Sequence, residues 1–245
     1  MPKPAPTFNR IINPADWEGV EIPARKWIVP NYIPHKTVTL LSGDGGSGKT
    51  KLAIQLAVAR ALGLDWIGLM PEPGRTLMLS CEDDKDELHR RGEDVRKFYA
   101  KQKPIRMADL GEHIRLVDLV GEDSILGFLM RGKIEPAPMY RALDAYMGDF
   151  KPSLVILDVL ADMFSGDERS RSQARQFGNL LKALRLKHSC AILLLAHPSQ
   201  AGLNTGSGTS GSTDWHNAVR SRLYFYTAKT SQGEEPNKNC ARSKA

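Results

Sequence analysis

Residues 37–62 read TVTLLSGDGGSGKTKLAIQLAVARAL, the most informative stretch of this 245-residue chain. Thr37–Leu41 is short, with β-branched and leucine residues, which favours a buried strand. Glycine and serine dominate residues 42–48, which favours a loop. Lys49–Leu62 repeats leucine and alanine at helical spacing, and Gly63 follows as a stop signal. The stretch therefore predicts a strand, a glycine-rich turn and a helix in direct succession.

The turn in this stretch matches the pattern G-x-x-x-x-G-K-[ST]. Glycines let the backbone wrap a phosphate with several N–H groups pointing inward, and the dipole of the following helix adds to the attraction. Lys49 can reach the β- and γ-phosphates, and the hydroxyl of Thr50, the last residue of the pattern, can ligate Mg²⁺. The alternative is a chance glycine turn before a helix. We favour binding of ATP with Mg²⁺ by the glycine loop (residues 43–50), which consists of Gly43, Asp44, Gly45, Gly46, Ser47, Gly48, Lys49 and Thr50.

Apolar strands alternate with helices along the rest of the chain. Strands are predicted at 76–80, 114–117, 154–157, 190–196 and within 215–228, helices at 85–101, 138–148 and 172–187, and a small hairpin within 121–137. Such alternation favours an α/β fold with a mostly parallel twisted sheet and helices on both faces. We expect one core over residues 25–230, an extended arm over 1–24 and a polar tail over 231–245.

Asp158 closes the apolar strand LVIL. Ligands of open α/β sheets bind beyond the carboxyl ends of the strands, so this carboxylate is expected beside the glycine loop. There it can hold the shell of Mg²⁺, as Walker-B aspartates do. The alternative is an aspartate that only ends a strand and caps a turn. With the glycine loop present, we favour the metal role.

Two further strand ends carry polar side chains. The residue after Asp158 is Val159, which is not acidic, so a general base must come from another strand end. Glu82, after TLMLSC, is the candidate to orient the attacking water. The alternative for Glu82 is an acid that favours the first turn of the next helix. His197, after CAILLLA, is the candidate sensor of the γ-phosphate, or else a histidine satisfied within a turn.

Several arginines lie late in the sequence or in loops. Arg220 and Arg222 in NAVRSRLYF are candidates for an arginine finger that stabilises the γ-phosphate in a neighbouring subunit, or else two surface arginines. The loops 163–175 and 200–214 are candidates for contacts with DNA through arginines and backbone donors. Neither loop has the interleaved aromatic residues of a stacking platform, and ordinary solvated loops are the alternative.

The composition limits the class of protein. Lys plus Arg total 34 and Asp plus Glu total 28, which gives a formal charge of +6, and the pI is near 9.2. This balance permits nucleic-acid binding without establishing it. No apolar run is long enough for a membrane span, and MPKPAPTFNR lacks the apolar part of a secretory signal. Three cysteines without a CxxC pair argue against a zinc ribbon or disulfide scaffold, so we expect a cytoplasmic protein without a membrane partner.

Ordered blocks over residues 25–228 carry a family resemblance. The blocks are WIVPNYIPHKTVTLLSGDGGSGKTKLAIQLA, LMLSCEDD, LVILDVL, LLLAHPS and GSTDWHNAVRSRLYF. They resemble the RepA-like branch of the RecA/DnaB-type ATPases, the AAA_25 family of phages, plasmids and prophages. The resemblance implies a RecA-like core, a hexameric ring and NTP-driven movement along single-stranded DNA. It also implies roles by position: Walker A for the glycine loop, catalytic glutamate for Glu82, Walker-B aspartate for Asp158, sensor for His197, finger for Arg220 or Arg222, and DNA contacts for the loops 163–175 and 200–214.

We therefore expect an Mg²⁺-dependent ATPase that acts on DNA, as a hexameric replicative helicase or a related motor. One alternative is a nucleotide-switched DNA-binding or loader protein that does not unwind DNA. A second is a P-loop kinase of a small molecule; no separate acceptor-binding lid is evident in the sequence, although residues 103–150 leave room for one. A third is a truncated remnant that binds ATP without assembling. Cores of this family continue with further strands after residue 228, whereas no strand pair is predicted in the tail 231–245, which we interpret as truncated or divergent.

Overall fold

The computed structural model of the protein describes residues 11–197, Trp215, 219–227 and 238–243. The strands are β1 Trp27–Val29, β2 Ile33–Pro34, β3 Val38–Gly43, β4 Thr76–Ser80, β5 Ile114–Asp118, β6 Gly127–Met130, β7 Lys133–Pro136, β8 Leu154–Asp158, β9 Ala191–Ala196, β10 Ser221–Thr227 and β11 Lys238–Ser243. The α-helices are α1 Lys49–Leu62, α2 Lys85–Ala100, α3 Pro138–Phe150, α4 Leu160–Met163 and α5 Arg171–His188.

A seven-stranded sheet forms the centre of the molecule, in the order β11-β10-β3-β9-β8-β4-β5. The six strands from β10 to β5 are parallel, and β11 runs antiparallel along β10. We call the side where the parallel strands end the carboxyl edge and the side where they begin the amino edge. The mostly parallel α/β architecture predicted from the sequence is confirmed.

Successive residues of the central strands point into two separate cores, because side chains alternate across a strand. Leu40 belongs to the core covered by α3 and α5, whereas its neighbour Leu41 belongs to the core covered by α1, α2 and the β1–β2 ribbon. Both leucines are almost fully buried. Each such side chain stabilises the fold by about 1.5–3 kcal/mol. Strands buried on both faces explain why the sequence shows continuous apolar runs there.

Most elements lie within two residues of their predicted bounds. Helix α1 begins and ends as predicted, and Gly63 after it adopts the left-handed conformation that glycine favours, with φ of 63°. The hairpin interpretation of residues 121–137 is confirmed by β6 and β7. Residues 103–150, where the sequence left room for an acceptor lid, contain β5, this hairpin and α3.

The tail is where the prediction was wrong. The sequence predicts a polar tail without a clear strand pair in residues 231–245, whereas Lys238–Ser243 form one strand, β11, that pairs with β10 over six registered positions. The sequence KNCARS has no apolar alternation, so its pattern gave no strand signal. β11 pairs through its backbone with the edge of β10 that faces away from β3. An edge strand can form these ladder hydrogen bonds without a buried apolar face.

Residues 11–26 are exposed throughout and include a single 3₁₀ turn at Pro14–Trp17. The first core residues after them are Ile28 and Val29 in β1. In the described residues, none of the helices combines the length and the apolar character needed to cross a bilayer.

Candidate nucleotide-binding site

The glycine loop lies at the carboxyl edge, between β3 and α1. A Cβ atom on Gly43 would lie 2.5 Å from the carbonyl oxygen of Phe225, so the close approach of β10 requires glycine there. Gly48 has a φ of 98°, which side-chain-bearing residues rarely adopt, and it directly precedes α1. Both glycines therefore serve the shape of a loop that presents the start of α1 at this edge.

Lys49 is buried, with 6% of its surface exposed, and lies inside the loop. Its Nζ donates to the carbonyl oxygens of Gly43 at 2.6 Å and Asp44 at 3.0 Å. Burial lowers the pKa of this ammonium group, while the carboxylates of Asp158, Glu82 and Asp44 oppose that shift. The loop thus holds a partly desolvated cation among acceptors, where an added phosphate would gain strongly from its charge.

Thr50 and Asp158 meet across the carboxyl edge. The Thr50 hydroxyl donates to the Asp158 carboxylate at 2.7 Å, and both side chains are buried. Burial raises the pKa of Asp158 to about 6, against the opposing effects of the Thr50 hydrogen bond and Lys49. The carboxylate therefore lies beside the glycine loop, as its place at the end of a parallel strand predicted.

Glu82 and His197 form a pair that the sequence did not join. They lie 115 positions apart, after β4 and β9, and β8 separates these strands. The Nε2 atom of His197 lies 3.2 Å from Oε1 of Glu82, and both side chains are about half exposed. Parallel strands end at the same edge, so two polar strand ends flanking Asp158 come within hydrogen-bonding distance.

The acids after Glu82 have structural contacts. Asp84 caps α2 by accepting from the N–H of Glu87 at 2.8 Å. Asp83 pairs with Arg91 of α2 at 2.8 Å. Asp84 therefore caps the helix, Asp83 is held by an ion pair, and the chain after Glu82 is fixed at both positions.

Residue Glu168 connects the loop 163–175 to this edge. Burial raises the pKa of Glu168, and the nearby charge of His197 opposes that shift. Its carbonyl oxygen accepts from the indole N–H of Trp215 at 3.2 Å. The three arginines of the loop, Arg169, Arg171 and Arg175, are exposed. The loop 200–214 lies outside the described residues.

A largely apolar groove of about 290 Å³ adjoins the glycine loop. It runs between α1 and α2, with Ser47 and Gly48 at one end and the half-exposed ring of Phe98 along its wall. Gln55 and an ion pair between Lys51 and Asp94, 2.7 Å long, supply its polar groups. No local sequence pattern predicts this groove, because its walls come from α1, α2 and Phe225 of β10, which meet only in the folded chain.

The two arginines proposed as fingers lie away from the glycine loop of their own chain. Arg220 precedes β10 and its N–H donates to the carbonyl of Val38, which places it at the amino edge. Arg222 lies within β10 beside Leu40, three positions before the register of Gly43. The carboxyl edge thus brings together Lys49, Thr50, Asp158, Glu82 and His197, but neither Arg220 nor Arg222.

Comparison with known families agrees with this geometry. A family model described as an AAA domain, AAA_25, matches residues 4–202, more than half of the chain. The chain belongs to the AAA_25 family. AAA_25 is a family of P-loop ATPases found in RecA/DnaB-like phage and plasmid proteins, so the RecA-like fold and the resemblance drawn from the sequence are both confirmed. Membership implies nucleotide binding, and the AAA_25 match covers every residue gathered at the carboxyl edge.

Proposed function

We propose that this AAA_25 protein is an Mg²⁺-dependent ATPase that acts on DNA as a hexameric replicative helicase or a related motor. The observation that carries the ATPase part is the gathering of Lys49, Thr50, Asp158 and Glu82 at one edge of the sheet. Two of these contacts, Lys49 on its own loop and Thr50 on Asp158, already exist in the chain alone. Thr50 and Asp158 are therefore already in contact where the metal would bind, as electrostatic catalysis requires, whereas Lys49 changes its partners when phosphate binds.

The donor set fits Mg²⁺. A threonine hydroxyl and an aspartate carboxylate 2.7 Å apart are hard oxygen ligands, and Mg²⁺ is usually held by one or two such ligands together with waters and substrate phosphates. Thr50 and Asp158 would hold the ion, which supplies charge neutralisation between the β- and γ-phosphates when bound. Burial is the main cause that raises the pKa of Asp158, and the carboxylates of Glu82 and Asp83 add to it, so a bound cation would stabilise the ionised form.

Lys49 provides the phosphate contact from the protein side. Its ammonium group donates to two backbone carbonyls, which are neutral acceptors. Charged phosphate oxygens form stronger hydrogen bonds, so Lys49 is expected to exchange these carbonyls for the phosphates of ATP. The positive end of α1 and the loop N–H groups complete the cradle.

Glu82 activates the water. In the proposed reaction, water oxygen bonds to the γ-phosphorus, the bond from that phosphorus to the bridging oxygen breaks, and ADP leaves. The proton of the attacking water goes to the Glu82 carboxylate and then to the products. His197, 3.2 Å from one oxygen of Glu82, fixes the orientation of the carboxylate and leaves its other oxygen for the water. We propose that the same imidazole reports the γ-phosphate.

The nucleobase is assigned to the groove between α1 and α2. This groove begins at Ser47 and Gly48, so a ligand whose phosphates lie on the glycine loop can extend into it. The exposed ring of Phe98 offers an aromatic surface of the kind that bases pack against. Gln55 and Lys51 are the polar side chains of α1 that line the groove, and both are candidates to contact the edge of the base.

DNA binding and assembly rest on the family resemblance and on the exposed arginines of the loop 163–175. The loop carries Glu168 close to His197, which offers a route from a DNA contact to Glu82. The finger role of Arg222 needs a neighbouring subunit, since its own chain keeps it away from the glycine loop. A ring would supply that neighbour.

The test is the rate of ATP hydrolysis with and without single-stranded DNA, on wild type and Glu82→Gln, with mass by size exclusion on the same samples. The exposed Glu112→Gln is the matched control, because it makes the same chemical change away from the site. Stimulation by DNA, a ring-sized mass and loss of turnover only in Glu82→Gln support the proposal. A monomer that binds ATP and ignores DNA contradicts the motor and favours the nucleotide switch.

A further inference from the structure

A second charged surface lies at the amino edge, opposite the glycine loop. It is a groove of about 740 Å³, and five parts of the chain line it: residues 24–26, residues 34–37, Glu72, Ser189 and Arg220. Residue 37 directly precedes β3, and Arg220 directly precedes β10. The groove is therefore built from the starts of the central strands and from the β1–β2 ribbon beside them. We call it the amino-edge groove.

Cations dominate the amino-edge groove. Arg25, Lys26, Lys36 and Arg220 are all exposed, and none of them forms an ion pair with any residue in the described part of the chain. Among the described residues, Glu72 is the one carboxylate that lines the groove. Four cations thus face one carboxylate.

His35 does not neutralise this excess. Its Nε2 lies 4.0 Å from the Glu72 carboxylate. Burial is the main cause that lowers the pKa of His35; Glu72 opposes this shift, and Lys36 and Lys26 add to it. The imidazole is therefore mainly neutral at physiological pH, and the net charge of the lining stays positive.

The backbone holds like charges together here. The ribbon pairs Trp27 with Pro34, and the N–H of His35 donates to the carbonyl of Lys26 at 3.0 Å. Lys26 therefore lies opposite His35, the residue before Lys36, and both lysines are close enough to His35 to lower its pKa, although like charges repel. Arg185 donates to the carbonyl of Lys36 and further fixes that segment. The groove presents a fixed concentration of positive charge that an anion would relieve.

The exposure of these cations indicates the class of anion. A single exposed ion pair contributes only about 0–1 kcal/mol, so a free phosphate would bind here weakly. A polyanion adds several such contacts and releases condensed counterions, which gives strong but salt-dependent binding. The lining is thus suited to a chain of phosphates rather than to one.

We propose that the amino-edge groove binds the sugar–phosphate backbone of single-stranded DNA. This inference rests on the proposed function for the identity of the polyanion. It adds a phosphate path on the side of the sheet away from the glycine loop and from the loop 163–175. It also gives Arg220 a role other than the finger, because the structure places this arginine in the groove.

The test measures binding of a fluorescein-labelled oligo-dT by anisotropy, without nucleotide, over a series of salt concentrations. The groove variant is R25Q/K26Q/K36Q. The control is K101Q/R141Q/K151Q, which also removes one arginine and two lysines, all exposed and without an ion pair in the described residues. Lys36 and Lys151 both have a φ of 52°, so this pair of positions is also matched in backbone conformation.

The groove variant is expected to bind about tenfold or more weakly at low salt, and its slope of log K against log salt is expected to be shallower by about 2, since each lost single-strand phosphate contact removes about 0.7. Arg220→Gln alone is expected to make the slope shallower by about 0.7. The control is expected to match wild type. Thermal melts of each variant check that the fold is retained.

Two results would overturn the inference. One is a groove variant whose affinity and salt slope equal those of the control. The other is a groove variant that binds DNA normally but changes its mass in size exclusion, which would make the groove a contact between subunits. Wild type that binds no oligo-dT at any salt concentration would instead contradict the DNA part of the proposed function, and the groove assignment with it.

Discussion

The two edges of the central sheet hold their cations in opposite ways. At the carboxyl edge Lys49 is buried and donates to two carbonyls of its own loop, within the influence of three carboxylates. At the amino edge Arg25, Lys26 and Lys36 are exposed and, within the described part of the chain, share their groove with one carboxylate, that of Glu72. A buried, oriented charge suits chemistry on one phosphate, whereas several exposed charges suit attraction of many. The difference indicates that one sheet carries two kinds of phosphate site.

The largest effect is expected from Glu82→Gln, which removes the proposed base at the carboxyl edge alone. Turnover is expected to fall by about 10²–10⁴-fold, because a positioned base contributes about that factor. Binding of ATP and of oligo-dT is expected to stay as in wild type. Single-turnover assays with both binding measurements check this. An equal loss of turnover in Glu112→Gln would contradict the role of Glu82 as the base. Loss of DNA binding in Glu82→Gln would contradict the separate roles of the two edges.

Arg60 tests whether the amino edge contains structural as well as exposed cations. It is fully buried, burial lowers its pKa to about 10, and it donates to Glu72 O, Arg75 O, Thr76 Oγ1 and Ser153 Oγ. Arg60→Met removes the Arg60 donor from Glu72 O, Thr76 Oγ1 and Ser153 Oγ, whereas Arg75 O keeps the backbone N–H groups of residues 153 and 154. The substitution is therefore expected to lower the free energy of unfolding by about 3–5 kcal/mol. Chemical denaturation measures this. The groove variant R25Q/K26Q/K36Q is the control and is expected to lose less than about 0.5 kcal/mol for each of its surface changes.

Asp158→Asn is expected to stabilise the nucleotide-free protein while it abolishes turnover. Burial raises the pKa of Asp158 from 3.8 to about 6, so the folded state holds this proton more tightly than the unfolded state does. Wild type therefore loses stability as the pH rises from about 4 to about 6. Above that range the cost is about 3 kcal/mol, because each tenfold difference in proton affinity between the two states corresponds to about 1.4 kcal/mol.

Urea denaturation at two pH values, without Mg²⁺, measures this effect. At pH near 7.5 the variant is expected to be more stable than wild type by about 3 kcal/mol, and near pH 4.5 by about 1 kcal/mol, because wild type is then largely protonated. A variant less stable than wild type at the higher pH would show that the carboxylate is compensated in the metal-free chain.

The sequence predicted the fold well for a physical reason. Strands such as LVILD and AILLLA are buried on both faces, so their apolar runs stand out, and Gly63 marks the end of α1. The strand β11 was missed because an edge strand such as KNCARS pairs through its backbone without needing apolar residues.

The site was predictable where one strand carried the information. Asp158 ends a parallel strand, and the structure places it beside the glycine loop accordingly. The pair of Glu82 and His197 required the strand order, in which β8 lies between β4 and β9, and no local pattern gives that order. The position of Arg220 could have been inferred, because a residue just ahead of a parallel strand lies at the amino edge.

The smallest effect is expected from Phe98→Ala, which tests how far the carboxyl-edge site extends. Loss of aromatic packing on the base is expected to raise the KM for ATP by about two- to tenfold with little change in kcat, since an aromatic contact contributes about 0.5–1.5 kcal/mol. Phe98→Tyr keeps an aromatic ring and is therefore expected to have the KM of wild type. An unchanged KM in Phe98→Ala would place the base elsewhere.

The separation of the two edges is tested most directly by titrating the rate of ATP hydrolysis with oligo-dT for wild type and R25Q/K26Q/K36Q. We expect equal rates without DNA and equal rates at saturating DNA, with the half-stimulating concentration about tenfold or more higher in the variant. A variant that hydrolyses ATP more slowly without DNA, yet responds to the same DNA concentration as wild type, would contradict the separation.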